Sequence, residues 1–243
     1  MNADSVRRYM QPPAWPSAIL FDFDGVIVNS EPLHFLALNE VLSQHRIGLS
    51  EAQYYDELLG LTDRDAVRRI FELHGRPLEP KTFLAVLARK SRAMMDLIEQ
   101  RRFSALRGAE PFIRGLWRNY PLAICSGALR DEIDAMLLGV SLRDCFDVIV
   151  SAEDVTVGKP DPSGYLQAMD QLGQRHHRKF KPADCLIVED APSVVRSVKA
   201  AGFSVLAVTT SSPAAKLADA DYVVHSLEPA VVLEQLPGLR ITM

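Results

Sequence analysis

Apolar residues fall into short runs along most of this chain: AILFDFD at 18–24, LAICS at 122–126, DVIVS at 147–151, CLIVED at 185–190, SVLAVTT at 204–210 and YVVHS at 222–226. All but the first are rich in Val, Ile or Leu without strict alternation, the pattern of strands buried on both faces. Helical stretches separate them, over 129–138, 163–173, 191–201 and 213–219. Strands alternating with helices predict an α/β fold, a doubly wound, Rossmann-like parallel sheet covered on both sides. Ligands of such sheets bind beyond the carboxyl ends of the strands.

One interval breaks the alternation. From Glu31 to about Ala105 only helical periodicity is present. Leu33, Leu36, Ala37, Val41 and Leu42 share a face; Ser50 with Gln53 makes a capping box, and Thr62 caps a helix through Val67, Ile70 and Phe71. A long helix over 80–100 carries Phe83, Leu84, Leu87, Met94, Leu97 and Ile98 on an apolar stripe. We therefore expect an N-terminal extension (1–17), an α/β core (18–30 and 106–243) and an all-helical cap (31–105) over the sheet's carboxyl edge.

The 243 residues suffice for one sizeable core plus a smaller domain. Net charge is −4, so no global basic field recruits nucleic acid or an anionic membrane. Cys125, Cys145 and Cys185 are scattered and odd in number, with no disulfide framework, which suits a reducing cytoplasm. Pro12, Pro13 and Pro16 interrupt the N-terminus where a signal peptide needs a continuous apolar stretch. No apolar run is long enough to span a bilayer. A cytoplasmic monomer is the expectation. The basic stretch 174–184, which includes Arg175, His176, His177, Arg178 and Lys179, is expected to be solvated surface.

Four strand ends carry polar groups. The first run ends in Asp22-Phe23-Asp24-Gly25, two carboxylates at i and i+2 that point to one side of an extended strand and repel each other. The second ends at Ser126-Gly127, the third leads to Gly158-Lys159-Pro160-Asp161-Pro162, and the fourth ends in Glu189-Asp190. Singly, most have ordinary readings: solvated turn aspartates, a Ser-Gly turn, a surface lysine, an N-cap at Asp190. Glu189 does not, because a buried carboxylate needs a partner. Jointly, four carboxylates on one edge require cations. Mg²⁺ suits hard oxygen ligands, Lys159 adds a second positive charge, and Ser126 offers a neutral donor to a phosphate oxygen. This is a constellation for phosphoryl transfer.

The ordered set DFDGV, ICSGA, GKPDP and VEDAPSVVRSVKAAG resembles the four motifs of the haloacid dehalogenase superfamily, in the branch containing β-phosphoglucomutase and phosphoglycolate phosphatase. The likeness runs from about Ile19 to Val224 and includes the helical insertion. It implies Asp22 as a nucleophile forming an aspartyl-phosphate and Asp24 as general acid/base. It implies that Lys159 and Ser126 hold the phosphoryl group, beside Gly25 and Gly127, and that Lys159 neutralises the nucleophile. Magnesium would be held by Asp22, Asp190, the backbone carbonyl of Asp24, and Glu189 directly or through water. Glu31 and His34 match the E-x-x-H that follows the first motif in this branch; His34 is a gate, a cap-side contact or a histidine on a helix flank.

The segment Leu58-Leu59-Gly60-Leu61-Thr62-Asp63-Arg64 resembles a cap loop that carries basic residues for a sugar's second phosphate in β-phosphoglucomutase. Those positions fall here on Leu59 and Asp63, with Arg64 one place displaced. The departure favours a phosphatase acting on a small phosphorylated metabolite, with Arg64 among its substrate contacts, over a phosphosugar mutase. A non-catalytic binding protein of the same fold is disfavoured because every chemical position is occupied. A dehalogenase is disfavoured because Asp24 and the Glu189-Asp190 pair suit phosphate and metal.

Overall fold

A computed structural model describes residues 15–58 and 61–242. The six apolar runs become the strands β1 (Ala18–Phe21), β2 (Leu122–Cys125), β3 (Val148–Val150), β4 (Cys185–Glu189), β5 (Ser204–Val208) and β6 (Tyr222–Val224). All neighbours are parallel, in the order β3-β2-β1-β4-β5-β6. Each strand is shorter than its run: Asp22, Ser126, Ser151 and Asp190 follow their strands at the sheet's carboxyl edge, whereas Glu189 is the last residue of β4. The register sets Ile19 beside Leu122 on one side and Leu186 on the other, so β1 is central.

Both faces are covered, as the unbroken apolar runs require. Ala18, Leu20, Ala123, Cys125, Ile187 and Val205 pack with α7 (Ser163–Arg175) and α8 (Pro192–Ala200) through Tyr165, Met169, Leu172, Val194 and Val198. On the opposite face Phe21 meets Phe112 of α5 (Ala109–Trp117) edge-on at 6.2 Å and Phe146 at 5.8 Å. Helices α6 (Arg130–Gly139) and α9 (Pro229–Gln235) bury Ile133, Met136, Leu137 and Val232.

The described residues divide into two compact units, the one just described and a helical unit, Ser30–Phe103. The chain leaves and re-enters the sheet unit on adjacent segments: Val28 bridges Ala105, and the Asn29 N–H donates to Ser104 O at 3.1 Å. The helical unit contains α1 (Glu31–Ser43), α2 (Glu51–Glu57), α3 (Asp63–Leu73) and α4 (Pro80–Glu99). The Ser50 hydroxyl accepts from Gln53 N–H at 3.1 Å and the Thr62 hydroxyl from Asp65 N–H at 3.2 Å, so both expected caps start helices. Val41, Leu42, Tyr54, Val67, Ile70, Phe71, Phe83 and Val86 form its core.

Three local expectations change. The segment 213–219 is a short 3-10 turn, Ala214–Leu217, in which Leu217 is the buried residue; one apolar anchor does not sustain an α-helix. Leu84 is 60% exposed, because the buried stripe of α4 runs through Phe83, Val86 and Lys90 and leaves Leu84 on the flank. The helix α7 extends to Arg175, and His176 turns inward to lie 3.2 Å from Asp147 instead of standing in solvent. No helix among the described residues is long and apolar enough to cross a membrane.

Gly108 starts α5 with φ +81, and a Cβ there would collide with the backbone of Leu227 and Glu228. Left-handed backbone and steric overlap act together. Gly108→Ala is expected to destabilise the fold by about 2–3 kcal/mol, read from the urea midpoint; an unchanged midpoint would show that the 227–228 segment gives way.

Candidate active site

The chain enters the sheet at its centre, adds β2 and β3 on one side, then crosses to β4 on the other. The strand order therefore reverses between β1 and β4, and a crevice opens at their carboxyl ends. Asp22 follows β1, Glu189 ends β4 and Asp190 follows it. Their carboxylates are buried, and each offers an oxygen within 4.8 Å of the others. Ser126 follows β2, and Lys159 stands on the loop after β3.

Lys159 ties these groups together. Its Nζ lies 2.7 Å from Asp22 Oδ1 and 2.8 Å from Glu189 Oε1, and it donates to the Tyr165 hydroxyl at 3.0 Å. The Tyr165 hydroxyl in turn donates to Glu189 Oε1 at 3.1 Å. Glu189 Oε2 accepts from the backbone N–H groups of Asp190 and Ala191, each at 2.8 Å. Both oxygens of Glu189 are thus engaged by protein donors, which fixes Lys159 on one side and the entry to α8 on the other. Asp22 Oδ1 accepts from Phe23 N–H at 2.6 Å, and its own N–H donates to Val188 O at 2.9 Å, so the nest is stitched to the β1–β4 ladder.

Asp24 lies beyond the strand and accepts from the Ser126 hydroxyl at 3.3 Å; that hydroxyl also accepts from Ala128 N–H at 3.0 Å. Gly25 has φ +77, and any side chain there would strike Asp190 and Ser211. A Cβ at Gly127 would meet nothing within 4 Å, so the turn after Ser126 borders open space. Asp190 Oδ2 accepts from the hydroxyls of Ser211 and Thr210, and Thr210 also donates to the Gly25 carbonyl. The loop after β3 is pinned by Arg130. Its N–H donates to Glu153 Oε2 at 2.9 Å and its guanidinium to Asp154 Oδ2 at 2.8 Å, while Asp154 also accepts from Ser151 N–H and Oγ at 2.7 Å.

Charge is out of balance in this nest. Burial pushes the Asp22 carboxyl well up; Lys159 pulls it down, and Glu189 and Asp190 push it up again. Burial and then the Glu189 carboxylate push Asp190 up to about 7. Burial opposes the charge on Lys159, yet Asp22 and Glu189 outweigh it and hold the ammonium above its ordinary range. Burial likewise raises the Tyr165 phenol, which stays a neutral donor. Three close carboxylates against one ammonium leave room for further positive charge, and an all-oxygen donor set fits a hard divalent cation.

The structure thus brings together Asp22, Asp24, Gly25, Ser126, Gly127, Lys159, Glu189 and Asp190 in the sheet unit. Glu31, His34 and Arg64 belong to the helical unit. There Glu31 accepts from the Tyr54 hydroxyl at 2.6 Å, and His34 Nδ1 lies 2.7 Å from Lys90 Nζ. Lys90 is buried and pairs with Asp63 Oδ1 at 2.7 Å. Arg64 instead sits with its guanidinium carbon 5.3 Å from the Phe83 ring centroid, beside a groove between α3 and α4. Leu59 and Gly60, on which part of the loop comparison rested, lie outside the described residues. Sequence reasoning missed Lys90, Tyr165, Thr210, Ser211 and the Arg130 clamp. Lys90 had a signal, a charge on the apolar stripe of α4; Tyr165 looked like any core position of α7.

The pH dependence of stability follows from Asp22 and Asp190. Without added cation, Asp190 in the folded chain keeps a proton between about pH 4 and about pH 7 that the unfolded chain has released, and the raised Asp22 carboxyl acts in the same direction. Where the folded state binds more protons, stability falls as pH rises, so it is greatest at the acid end of this window. In chelator-treated protein, the melting temperature is expected to drop across that window more steeply than in Asp190→Asn. Identical slopes in the two proteins would contradict the charge imbalance.

Residues 19–208 match the family model described as haloacid dehalogenase-like hydrolase. A bifunctional riboflavin kinase/FMN phosphatase of Arabidopsis thaliana is 30% identical over 87% of this chain, which spans about half (53%) of that longer protein. A fructose-1-phosphate phosphatase of Escherichia coli is 26% identical over 79% of this chain and 96% of its own. The crystal structure of CbbY from Rhodobacter sphaeroides in complex with phosphate shares the fold, with TM-score 0.78 at 23% identity over 92% of this chain and 98% of that one. Matched by that family model over residues 19–208, this chain is an enzyme of the haloacid dehalogenase-like hydrolase family.

Proposed function

We infer that the chain is a Mg²⁺-dependent phosphatase that hydrolyses a small phosphorylated metabolite, such as a sugar phosphate or phosphoglycolate-like ester, through an aspartyl-phosphate. The observation that carries this reading is Lys159 held between Asp22 and Glu189 at the sheet's switch point, beside Asp190 and Ser126. An Asp22 oxygen attacks phosphorus, the ester oxygen leaves, and Asp24 supplies its proton. Asp24 then takes a proton from the water that attacks the aspartyl-phosphate, and inorganic phosphate and free Asp22 result. Lys159 and the Ser126 hydroxyl hold phosphoryl oxygens, and the open space beside Gly127 leaves room for them. Asp22, Asp190, the Asp24 carbonyl and Glu189, the last directly or through water, would hold Mg²⁺. The ion would supply positive charge against the phosphate oxygens.

The relatives support the substrate class, since one is named for FMN and another for fructose 1-phosphate, both phosphate monoesters on polyhydroxylated carbon. The helical region 31–105 serves as the cap that selects among such esters. Asp63 supports phosphatase over mutase. It stands where the mutase branch has a basic residue, and it already neutralises the buried Lys90. The enzyme acts in the cytoplasm as a monomer, without nucleic-acid or membrane partners.

Purified protein with Mg²⁺ is expected to release phosphate from small esters, and chelation to stop it. Asp22→Asn should lower kcat by on the order of 10³-fold or more, and Lys159→Ala by at least roughly 10²-fold. Undiminished turnover in Asp22→Asn would remove the nucleophile, and a sugar 1-phosphate converted to its 6-phosphate without free phosphate would favour a mutase.

A further inference from the structure

The helical unit carries a groove lined by that unit alone, and Arg64, expected from the sequence to contact substrate, stands in it. It lies open between α3 and the first turn of α4, offers about 620 Å³, and has Phe71, Phe83 and Leu84 as apolar lining with Arg64, Arg68 and Arg76 around it. That volume is in the range of small-molecule sites, which combine apolar walls with a few polar groups. Leu84 contributes an exposed leucine to the wall, so apolar surface there is still open to a ligand.

The charge of the groove runs against that of the chain. The whole sequence is net −4, yet this lining sets three arginines against one carboxylate, Glu72. Glu72 is occupied by Arg69 at 3.3 Å, and Arg68 pairs with Asp65 at 3.2 Å. Among the described residues neither Arg64 nor Arg76 forms an ion pair with a carboxylate. The guanidinium carbons of Arg64 and Arg68 lie 5.3 and 4.8 Å from the Phe83 ring centroid. Guanidinium groups over a ring keep in-plane N–H donors for an anion while the ring limits their motion.

A smaller source of positive potential lies beside the arginines. Helix α4 runs for 20 residues, has no acidic residue in its first turn, and receives no side-chain cap from Glu79. Pro80 carries no N–H and the Phe83 N–H donates to Glu79 O at 2.9 Å, so the Lys81 and Thr82 N–H groups are the ones without an intrahelical acceptor. The Glu79 carboxylate offsets part of the dipole's positive potential at that end, where Pro80 borders the groove.

We propose that this groove binds a small amphipathic anion, an apolar body of ring or short-chain type bearing one carboxylate, sulfonate or phosphate. The head meets Arg64, Arg76 and the start of α4; the body lies on Phe83 and Leu84. Inorganic phosphate alone would leave the apolar wall unused, and a neutral or cationic ligand would leave the arginines uncompensated.

The probe is 8-anilino-1-naphthalenesulfonate, titrated into the full chain at neutral pH and low salt. Saturable one-to-one fluorescence enhancement is expected, weakened by added salt and displaced by 1-naphthoate but not by uncharged 1-naphthol. The double variant Arg64→Ala/Arg76→Ala should raise Kd at least tenfold at unchanged melting temperature, since both side chains are exposed. Leu84→Ser should weaken binding independently, and the Phe83 and Leu84 amide resonances should shift on titration. Asp22→Asn should bind the probe as the parent does, which separates this groove from the carboxylate nest. Absence of saturable binding, equal affinity in the arginine double variant, or binding lost with Asp22→Asn would each overturn the proposal.

Discussion

The structure turns on the electrostatic balance around one ammonium group. Lys159 stands between Asp22 and Glu189, each within hydrogen-bonding distance, with Asp190 adjacent. Buried carboxylates persist only when partners replace the water they lose. Here the partners come from many places: Lys159 and Tyr165 for Glu189, the backbone at Phe23 for Asp22, and the hydroxyls of Thr210 and Ser211 for Asp190. The rest of the sheet unit can be read as the scaffold that holds these donors at the right spacing.

That scaffold has a simple logic. A parallel sheet that begins at its centre and grows first to one side, then to the other, must leave a crevice where it turns. Residues on β1 and β4 flank the crevice, and those following β2 and β3 complete its rim. Four polar strand ends distant in sequence thereby meet, and none is required for the strands themselves, whose stability comes from apolar residues on both faces.

Most of this arrangement is legible in the chain, because strands buried on both sides appear as continuous apolar runs and their polar ends stand out. Less legible are elements whose local signals conflict with their state. Helix α5 contains Pro111 and Gly115, which argue against a helix, yet Pro111 falls in the first turn, where its missing N–H costs little. Lys90 stands out as a charge on the apolar stripe of α4, but its partners, 56 and 27 residues upstream, are visible only in the fold. Thr210 and Ser211 are ordinary turn residues after β5, and only the tertiary fold sets them against Asp190. Leu84 fits the expected stripe by spacing but not by angle, which the packing of α4 decides.

The central position of β1 has a further consequence for biosynthesis. The first strand, which leads to Asp22, is made before both its neighbours in the sheet, which pair through Leu122 and Leu186, far later in the chain. The helical unit is local in sequence and is free to assemble while the first strand waits. Contacts of such long range form slowly. A nascent chain halted before the fourth strand would have a folded insertion and an unpaired edge, but no nest of carboxylates. Catalytic competence therefore arrives only once the fourth strand has been made and paired with the first.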